Sequence, residues 1–305
     1  MNSQENKISI VIIGYNTESY LSETLRAIDK LQVHQEYIEV IYVDDGSTDN
    51  SWDIFNKTTL NYRKKMFRLK ENSGRVAARS KGVELAKYDW ILFLNSNIVV
   101  NQDLIIEYIK SMSTCDALVY MGSLKYKSKD STFCNYLNHP RRGINNYKNH
   151  ALVDYSNVLF SNCLVRRSVF DSITFNINLR FYGGEELDWA YRMNKQFPNQ
   201  IRASKYAIAL RNNHPDFINH TNKLFEFGRF NFIQLNETLQ VDIVKCKMLL
   251  KSNRLFLSLF KILLNLSFKI YKIPLINIVI IRLGFLSAIL IGYYKTKLSG
   301  DFKIT

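Results

Sequence analysis

Two hydrophobic rhythms alternate along the first hundred residues. Ile8 to Ile13 reads ISIVII and stops at Gly14; a run this short and this apolar fits a strand buried on both faces better than a helix. Behind Thr17 and Ser19, either of which can cap a helix, Leu21, Leu25, Ile28 and Leu31 recur at helical spacing. The alternation then repeats: a strand at Val40 to Val43, a helix after Ser47-Thr48-Asp49, a short strand near Met66 to Leu69, a helix from about Ser73 to Ala86, and a strand at Trp90 to Leu94. Strand and helix in turn predict an α/β fold, a mostly parallel sheet flanked by helices, with ligands bound at the carboxyl ends of the strands.

Polar residues gather at those carboxyl ends. The first strand runs into Gly14-Tyr15-Asn16, the second into Asp44-Asp45-Gly46-Ser47-Thr48-Asp49, and the strand at Trp90 into Asn95-Ser96-Asn97. Ser47 and Asp49 are also what a turn with a helix cap would use, whereas the adjacent Asp44 and Asp45 are harder to dismiss as a turn. No GxGxxG or GxxxxGK[ST] occurs, so the phosphate cradles of the Rossmann dinucleotide fold and of the P-loop are missing.

Composition narrows the class. The chain has 305 residues, 47% hydrophobic and 22% charged, with 12 Gly and 4 Pro, which excludes disordered, collagenous and low-complexity proteins. Cys115, Cys134, Cys163 and Cys246 show no metal-ligand spacing and are expected to be free thiols in a reducing compartment. The polar MNSQENK leads straight into Ile8, so no signal peptide is expected and the front of the chain is expected to stay in the cytosol.

The blocks VIIGYNTESYLSETLRAI, VDDGSTDNS and NSGRVAARSKGVELAKYDWILFLNSN, in this order and spacing, resemble the nucleotide-binding half of the inverting glycosyltransferases of family 2, which have the GT-A fold. Further on, FSNCLVRRSVFDSITFNINLRFYGGEELDWAYRM resembles the acceptor-side block of that family, and NNHPDFINHTNKLFEFGRF the segment that closes its site. The resemblance covers roughly residues 7 to 231 and implies a catalytic domain over 1–240, split into a nucleotide-binding half of about 1–125 and an acceptor-binding half of about 126–240.

It also implies roles. Tyr15 would stack on or edge against the base of a nucleotide-sugar, while Asp44 and Asp45 would accept hydrogen bonds from base and ribose. Arg75 would lie beside the nucleotide, and Arg79, four residues on, shares its helix face. Where the family carries a DxD motif for a divalent ion, this chain has Asn95-Ser96-Asn97, so the affinity for Mn²⁺ or Mg²⁺ should be weakened. Three outcomes stay open: an ion held mainly by the diphosphate, with Asn97 and His214 as its protein ligands, cations such as Arg75 neutralising the leaving group, or lost catalysis. Glu186 stands at the family's catalytic base and Glu185 beside it would orient the acceptor or brace the loop; read alone, GGEELD is an acidic helix N-terminus. Asn162 is expected in the acceptor pocket.

The tail, 241–305, has a different character. From Lys245 onward the net charge is +10, against +4 for everything before it. Lys247, Lys251, Arg254, Ser258, Lys261, Asn265, Lys269 and Lys272 fall on one helical face, with Leu, Ile and Phe filling most of the rest, as in a helix lying on an anionic membrane surface. After Pro274, Leu275 to Tyr294 is long enough to cross a bilayer, but Arg282 argues for shallow or re-entrant insertion. The alternative is a basic-faced hairpin packed on the protein itself or on a second subunit, a homodimer. A basic excess confined to an apolar tail argues against nucleic acid.

Together these features predict a transferase moving a sugar from a nucleoside diphosphate sugar, a UDP-sugar, to a hydroxyl of a glycan or lipid-linked acceptor in surface polysaccharide synthesis. The expected location is the cytoplasmic face of the inner membrane, with residues 245–297 on the lipid. The competing expectation is a non-catalytic nucleotide-sugar-binding or scaffold subunit, motivated by the neutral Asn95, Asn97 and Asn212.

Overall fold

The computed structural model describes residues 7–251 and 253–299; the first six residues, from which no signal peptide is expected, and 252 and 300–305 of the basic tail lie outside them. Eight strands form one sheet: β1 (Ile8–Gly14), β2 (Ile38–Asp44), β3 (Arg63–Arg68), β4 (Trp90–Asn95), β5 (Ile98–Val100), β6 (Val119–Tyr126), β7 (Asn162–Arg166) and β8 (Ile201–Arg211). The helices in chain order are α1 (Glu18–Asp29), α2 (Ser51–Lys57), α3 (Arg75–Leu85), α4 (Leu104–Thr114), α5 (Ser131–Leu137), α6 (Val169–Ser172), α7 (Glu185–Gln196), α8 (Phe217–Arg229), α9 (Glu237–Val244), α10 (Arg254–Ile270) and α11 (Asn277–Ser299).

The chain divides into two compact units. The first comprises residues 7–127, 139–175 and 189–213 and holds the whole sheet, in the order β3-β2-β1-β4-β7-β6-β8-β5. The four leading strands are parallel, as expected from the two-faced apolar runs of β1, β2 and β4, with the charged, half-exposed β3 at the edge; β7 enters antiparallel to both β4 and β6, and β5 antiparallel to β8, so the sheet as a whole is mixed. Every residue of β1 and β2 is buried. Beneath β4, Phe93, Phe160, Phe170, Phe175 and Trp189 form an edge-on aromatic cluster, and the Trp189 Nε1 donates to the Ile173 carbonyl at 3.1 Å.

The second unit comprises residues 128–138, 176–188 and 214–299 and contains α5, α8, α9, α10 and α11. The sequence-based boundary at residue 240 falls inside it. Asp130 organises one end: one carboxylate oxygen accepts the Phe133 N–H (3.0 Å), capping α5, and the other accepts the Tyr271 hydroxyl (3.0 Å) and the Phe217 N–H (3.3 Å). Burial, reinforced by that carboxylate, pushes the Tyr271 pKa up to about 12.

The polar stripe from Lys247 to Lys272 does not lie on one helix. A 3₁₀ turn at Lys247–Leu250 precedes a break, and α10 starts afresh behind Asn253, whose side chain caps the Leu255 N–H at 2.7 Å. The reason is local: the Leu249 and Leu250 carbonyls, which a continuous helix would bond internally, accept the hydroxyls of Tyr294 (2.7 Å) and Tyr293 (2.9 Å).

Helix α11 is long and apolar enough to cross a bilayer, but 56% of its most apolar window is buried within the protein. Its backbone meets that of α8 directly. A Cβ added at Gly228 would stand 2.1 Å from the Ile289 carbonyl oxygen, and one at Gly292 2.3 Å from that of Phe225. We expect Gly228→Val to prise these helices apart and lower the stability of the second unit by about 1–3 kcal/mol or more, measured as a lower denaturation midpoint, with Glu226→Ala, at an exposed position of the same helix, as the neutral control.

Candidate active site

A cavity of about 270 Å³ opens at the carboxyl ends of β1, β2 and β4 in the first unit. It is lined by Tyr15, Asp45, Arg75, Asn95 and Asn97 from the sequence-based set, together with Thr17, Tyr20, Ser96 and Arg211. Five residues named from three separate blocks thus share one concave surface.

The loops that hold it are cross-tied. Asn16, at φ +50°, accepts the Thr48 N–H on its side-chain oxygen at 2.8 Å, and its own N–H donates to the Ser47 hydroxyl at 2.9 Å. These bonds fix the Tyr15 loop against the β2 loop and leave the Tyr15 ring 43% exposed, free to meet a planar ligand. Asp45 accepts the Ser73 N–H (2.8 Å) and the Gly74 N–H (3.0 Å), tying the end of β2 to the start of α3, where Arg75 is the first helical residue. Burial raises the Asp45 pKa, and the two backbone donors oppose that shift.

Asp44 is not in the cavity. It is fully buried, pairs with the Arg68 Nε at 3.1 Å and accepts the Ser47 N–H and hydroxyl, so a bond to base or ribose gives way to a buttress under the loop. Arg79 is likewise buried, its guanidinium over the Phe160 ring at 5.1 Å. Asn162 is not on a pocket wall either. Its Oδ1 accepts the Tyr108 hydroxyl (2.8 Å) and its amide donates to the Ser123 (3.0 Å) and Ala207 (2.9 Å) carbonyls, which satisfies the whole side chain inside the sheet.

Arg211, which sequence reasoning did not single out, ends β8 and pairs in register with Ile98, the residue after Asn97. Its only sequence signal is a cation ending a strand.

The second unit carries the acidic pair. Gly183 and Gly184, both at φ +86°, turn the chain into α7 with Glu185 buried and Glu186 half-buried at its first two positions. Only glycine fits here, because a Cβ at Gly184 would stand 2.7 Å from the Phe227 ring. The fully buried Asn231 brackets the turn: its amide donates to the Phe181 (2.8 Å) and Gly183 (2.7 Å) carbonyls and its oxygen accepts the Phe181 N–H at 3.3 Å. His214 lies in this unit among Phe133 and His220, with Nδ1 2.9 Å from the Pro215 carbonyl oxygen. Among the described residues no three of His, Cys, Asp and Glu converge as a metal site.

The sequence model of Glycosyl transferase family 2 matches residues 9–174. Over 132 residues the chain is 35% identical to the glycosyltransferase GlyG of Streptococcus pneumoniae, covering 43% of each chain. It is 27% identical over 194 residues to the teichoic acid poly(glycerol phosphate) polymerase of Staphylococcus epidermidis, covering 61% of this chain and 25% of that one. The chain thus spans less than half the length of these curated relatives. Among solved structures, S. aureus TarS 1–349 in complex with UDP-GlcNAc superposes with a TM-score of 0.59 at 14% identity, covering 97% of this chain and 93% of that one. The mannosyltransferase PcManGT of Pyrobaculum calidifontis, in complex with GDP-Man and Mn²⁺, gives 0.55 at 13% identity, covering 73% and 63%. At these identities the likeness is one of fold.

The bracket on the glycine turn is testable by itself. Asn231→Ala leaves two carbonyls and one N–H of the turn without their partner, at about 1–3 kcal/mol for each buried group left unsatisfied. Hydrogen exchange of the Phe181–Glu185 amides is expected to accelerate in that variant while the β1 and β2 amides stay protected.

Proposed function

Because this chain belongs to glycosyltransferase family 2, we propose that it moves one sugar from a UDP-sugar to a hydroxyl of a glycan or lipid-linked acceptor in bacterial surface-polymer synthesis, inverting the anomeric carbon. The cavity at the strand ends carries this reading. Tyr15 offers an aromatic face to a base, Asp45 a carboxylate to ribose or base, and Arg75 a guanidinium to a diphosphate. The UDP-GlcNAc bound by TarS and the polymer made by the teichoic acid polymerase support the donor class and the setting.

In the proposed reaction the Glu186 carboxylate takes the proton of the acceptor hydroxyl as its oxygen bonds to the anomeric carbon, and the diphosphate leaves with the electron pair of the broken C–O bond. Glu185, buried beside it, orients the acceptor through the shared turn. A second reading, a nucleotide-sugar-binding subunit without turnover, is favoured by one observation: every side chain of Asn95-Ser96-Asn97 is neutral.

The acceptor side of the proposal includes an anionic membrane at the cytoplasmic face of the inner membrane. Leu255, Leu259, Ile262 and Leu266 form an exposed apolar row along α10, continued by Ile273, Leu275, Ile276 and Val279 around the turn into α11. Beside it lie exposed Arg254, Lys261, Lys269 and Lys272, and no carboxylate pairs with any of them among the described residues. An apolar row edged by unpaired cations matches anionic headgroups over acyl chains.

A panel of nucleotide-sugars is expected to reveal one donor from which purified protein releases nucleotide. Glu186→Gln should lower acceptor-dependent transfer by about 10²–10⁴-fold and leave nucleotide affinity unchanged; donor binding without transfer by the wild type would favour the second reading. For the membrane, Leu259→Asp with Ile262→Asp is expected to abolish sedimentation with phosphatidylglycerol vesicles at an unchanged melting temperature. Undiminished sedimentation would remove the lipid assignment, and a wild-type dimer dissociated by the same pair would reassign the row to a second copy.

A further inference from the structure

The triplet Asn95-Ser96-Asn97 does not fit a hard divalent cation. The Asn95 amide donates to the Ser161 hydroxyl at 2.9 Å, so only its Oδ1, buried and without a hydrogen-bond partner, remains as a neutral ligand. Ser96 and Asn97 add no charge, and Asp45, the one carboxylate among the lining residues, is tied to the start of α3 by a backbone N–H on each oxygen, leaving it one lone pair on each for a ligand. Mg²⁺ and Mn²⁺ sites are built from carboxylates and held waters, and a set of amides and one hydroxyl supplies the weakest part of that chemistry.

The same cavity holds two guanidinium groups. Arg75 opens α3, where the helix dipole adds positive potential. Arg211 ends β8 beside the triplet: the N–H of the next residue, Asn212, donates to the Asn97 carbonyl at 3.3 Å. The Arg211 Nε is buried with no hydrogen-bond partner. A buried guanidinium N–H without an acceptor is costly, and Arg211, which carries one, is among the residues lining this cavity. The charges agree: with amides in place of two acids, no negative charge at the triplet remains for a divalent ion to offset, and two arginines already outnumber Asp45.

We infer that Arg211, with Arg75, grips the donor's diphosphate in place of a divalent cation, so that this protein binds its nucleoside diphosphate without metal. The inference rests on the donor-site reading above. Guanidinium groups are permanently charged and match phosphate oxygens with paired N–H donors, and they can stabilise the charge that develops on the departing phosphate oxygen.

Calorimetric titration of the full chain with UDP, GDP, ADP and dTDP, in EDTA and then in Mn²⁺, tests it. Wild-type affinity for the preferred diphosphate is expected to agree within about twofold in the two buffers. Arg211→Gln should weaken the diphosphate by about tenfold or more and leave the corresponding nucleoside unaffected, with Arg211→Lys recovering part of the loss. Asn95→Asp with Asn97→Asp, in the Arg211→Gln background, should make diphosphate binding respond to Mn²⁺. A wild type that binds only with Mn²⁺ overturns the inference while keeping the donor site. An Arg211→Gln variant that holds the diphosphate as tightly as before, or that loses nucleoside and diphosphate equally, also overturns it. If no diphosphate binds the wild type in either buffer, the donor-site reading fails first and takes this inference with it.

Discussion

The carboxylate of Asp45 holds the cavity end of the first unit in shape. Its two bonds to the Ser73 and Gly74 N–H groups join the end of β2 to the start of α3, and everything at the cavity mouth follows from that join. Arg75 is placed because α3 begins where Asp45 anchors it. The β2 loop in turn carries Ser47 and Thr48, which fix Asn16 and with it the Tyr15 ring. Behind the loop, Asp44 and Arg68 form the buried counterpart, so two adjacent acids divide the labour: one lines the cavity and one pairs inside the protein.

In the cavity, shape and charge are set by different parts of the chain. The triplet is placed mainly through its backbone: Asn95 pairs with Ile13 at the end of β4, the Ser96 N–H donates to the Ile13 carbonyl and its carbonyl accepts the Thr24 hydroxyl, and the Asn97 carbonyl accepts the Asn212 N–H, bonds that are indifferent to whether the side chains are acids or amides. The electrostatic requirement is not indifferent. A diphosphate needs positive charge from somewhere, and two arginines line the same wall, one from α3 and one from the far strand β8.

The legible parts of the fold are those where burial leaves a continuous mark. Strands β1, β2 and β4 are covered on both faces and read as apolar runs interrupted only by the hydrogen-bonded Ser9 and Glu39, and α1 shows its core-facing leucines at helical spacing. The far half of the sheet is not legible in this way. Strand β8 exposes Tyr206 and half-exposes Lys205 in mid-strand, next to a register shift at Gly122/Ser123, so its alternation is interrupted. At the site, sequence finds the cluster but cannot divide Asp44 from Asp45, since neighbouring residues on a strand point to opposite faces and either register is consistent with the run. Asn162 looks like a pocket residue because polar side chains in a strand usually face ligand or water; its three bonds to Tyr108, Ser123 and Ala207 come from segments far apart in the chain. Arg211 hides for the same reason, more than a hundred residues from the triplet it stands beside.

In the tail, hydropathy alone leaves α11 with two solvents to choose from, lipid and protein. The contact through Gly228 and Gly292 decides between them by geometry, since it brings carbonyls within reach of a neighbouring backbone in a way no acyl chain can reproduce. A methyl group on either glycine would stand 2.1 Å or 2.3 Å from a carbonyl oxygen and force the two backbones apart. The absent side chains of two glycines thus do for α11 what its apolar composition cannot: they give it one specific neighbour.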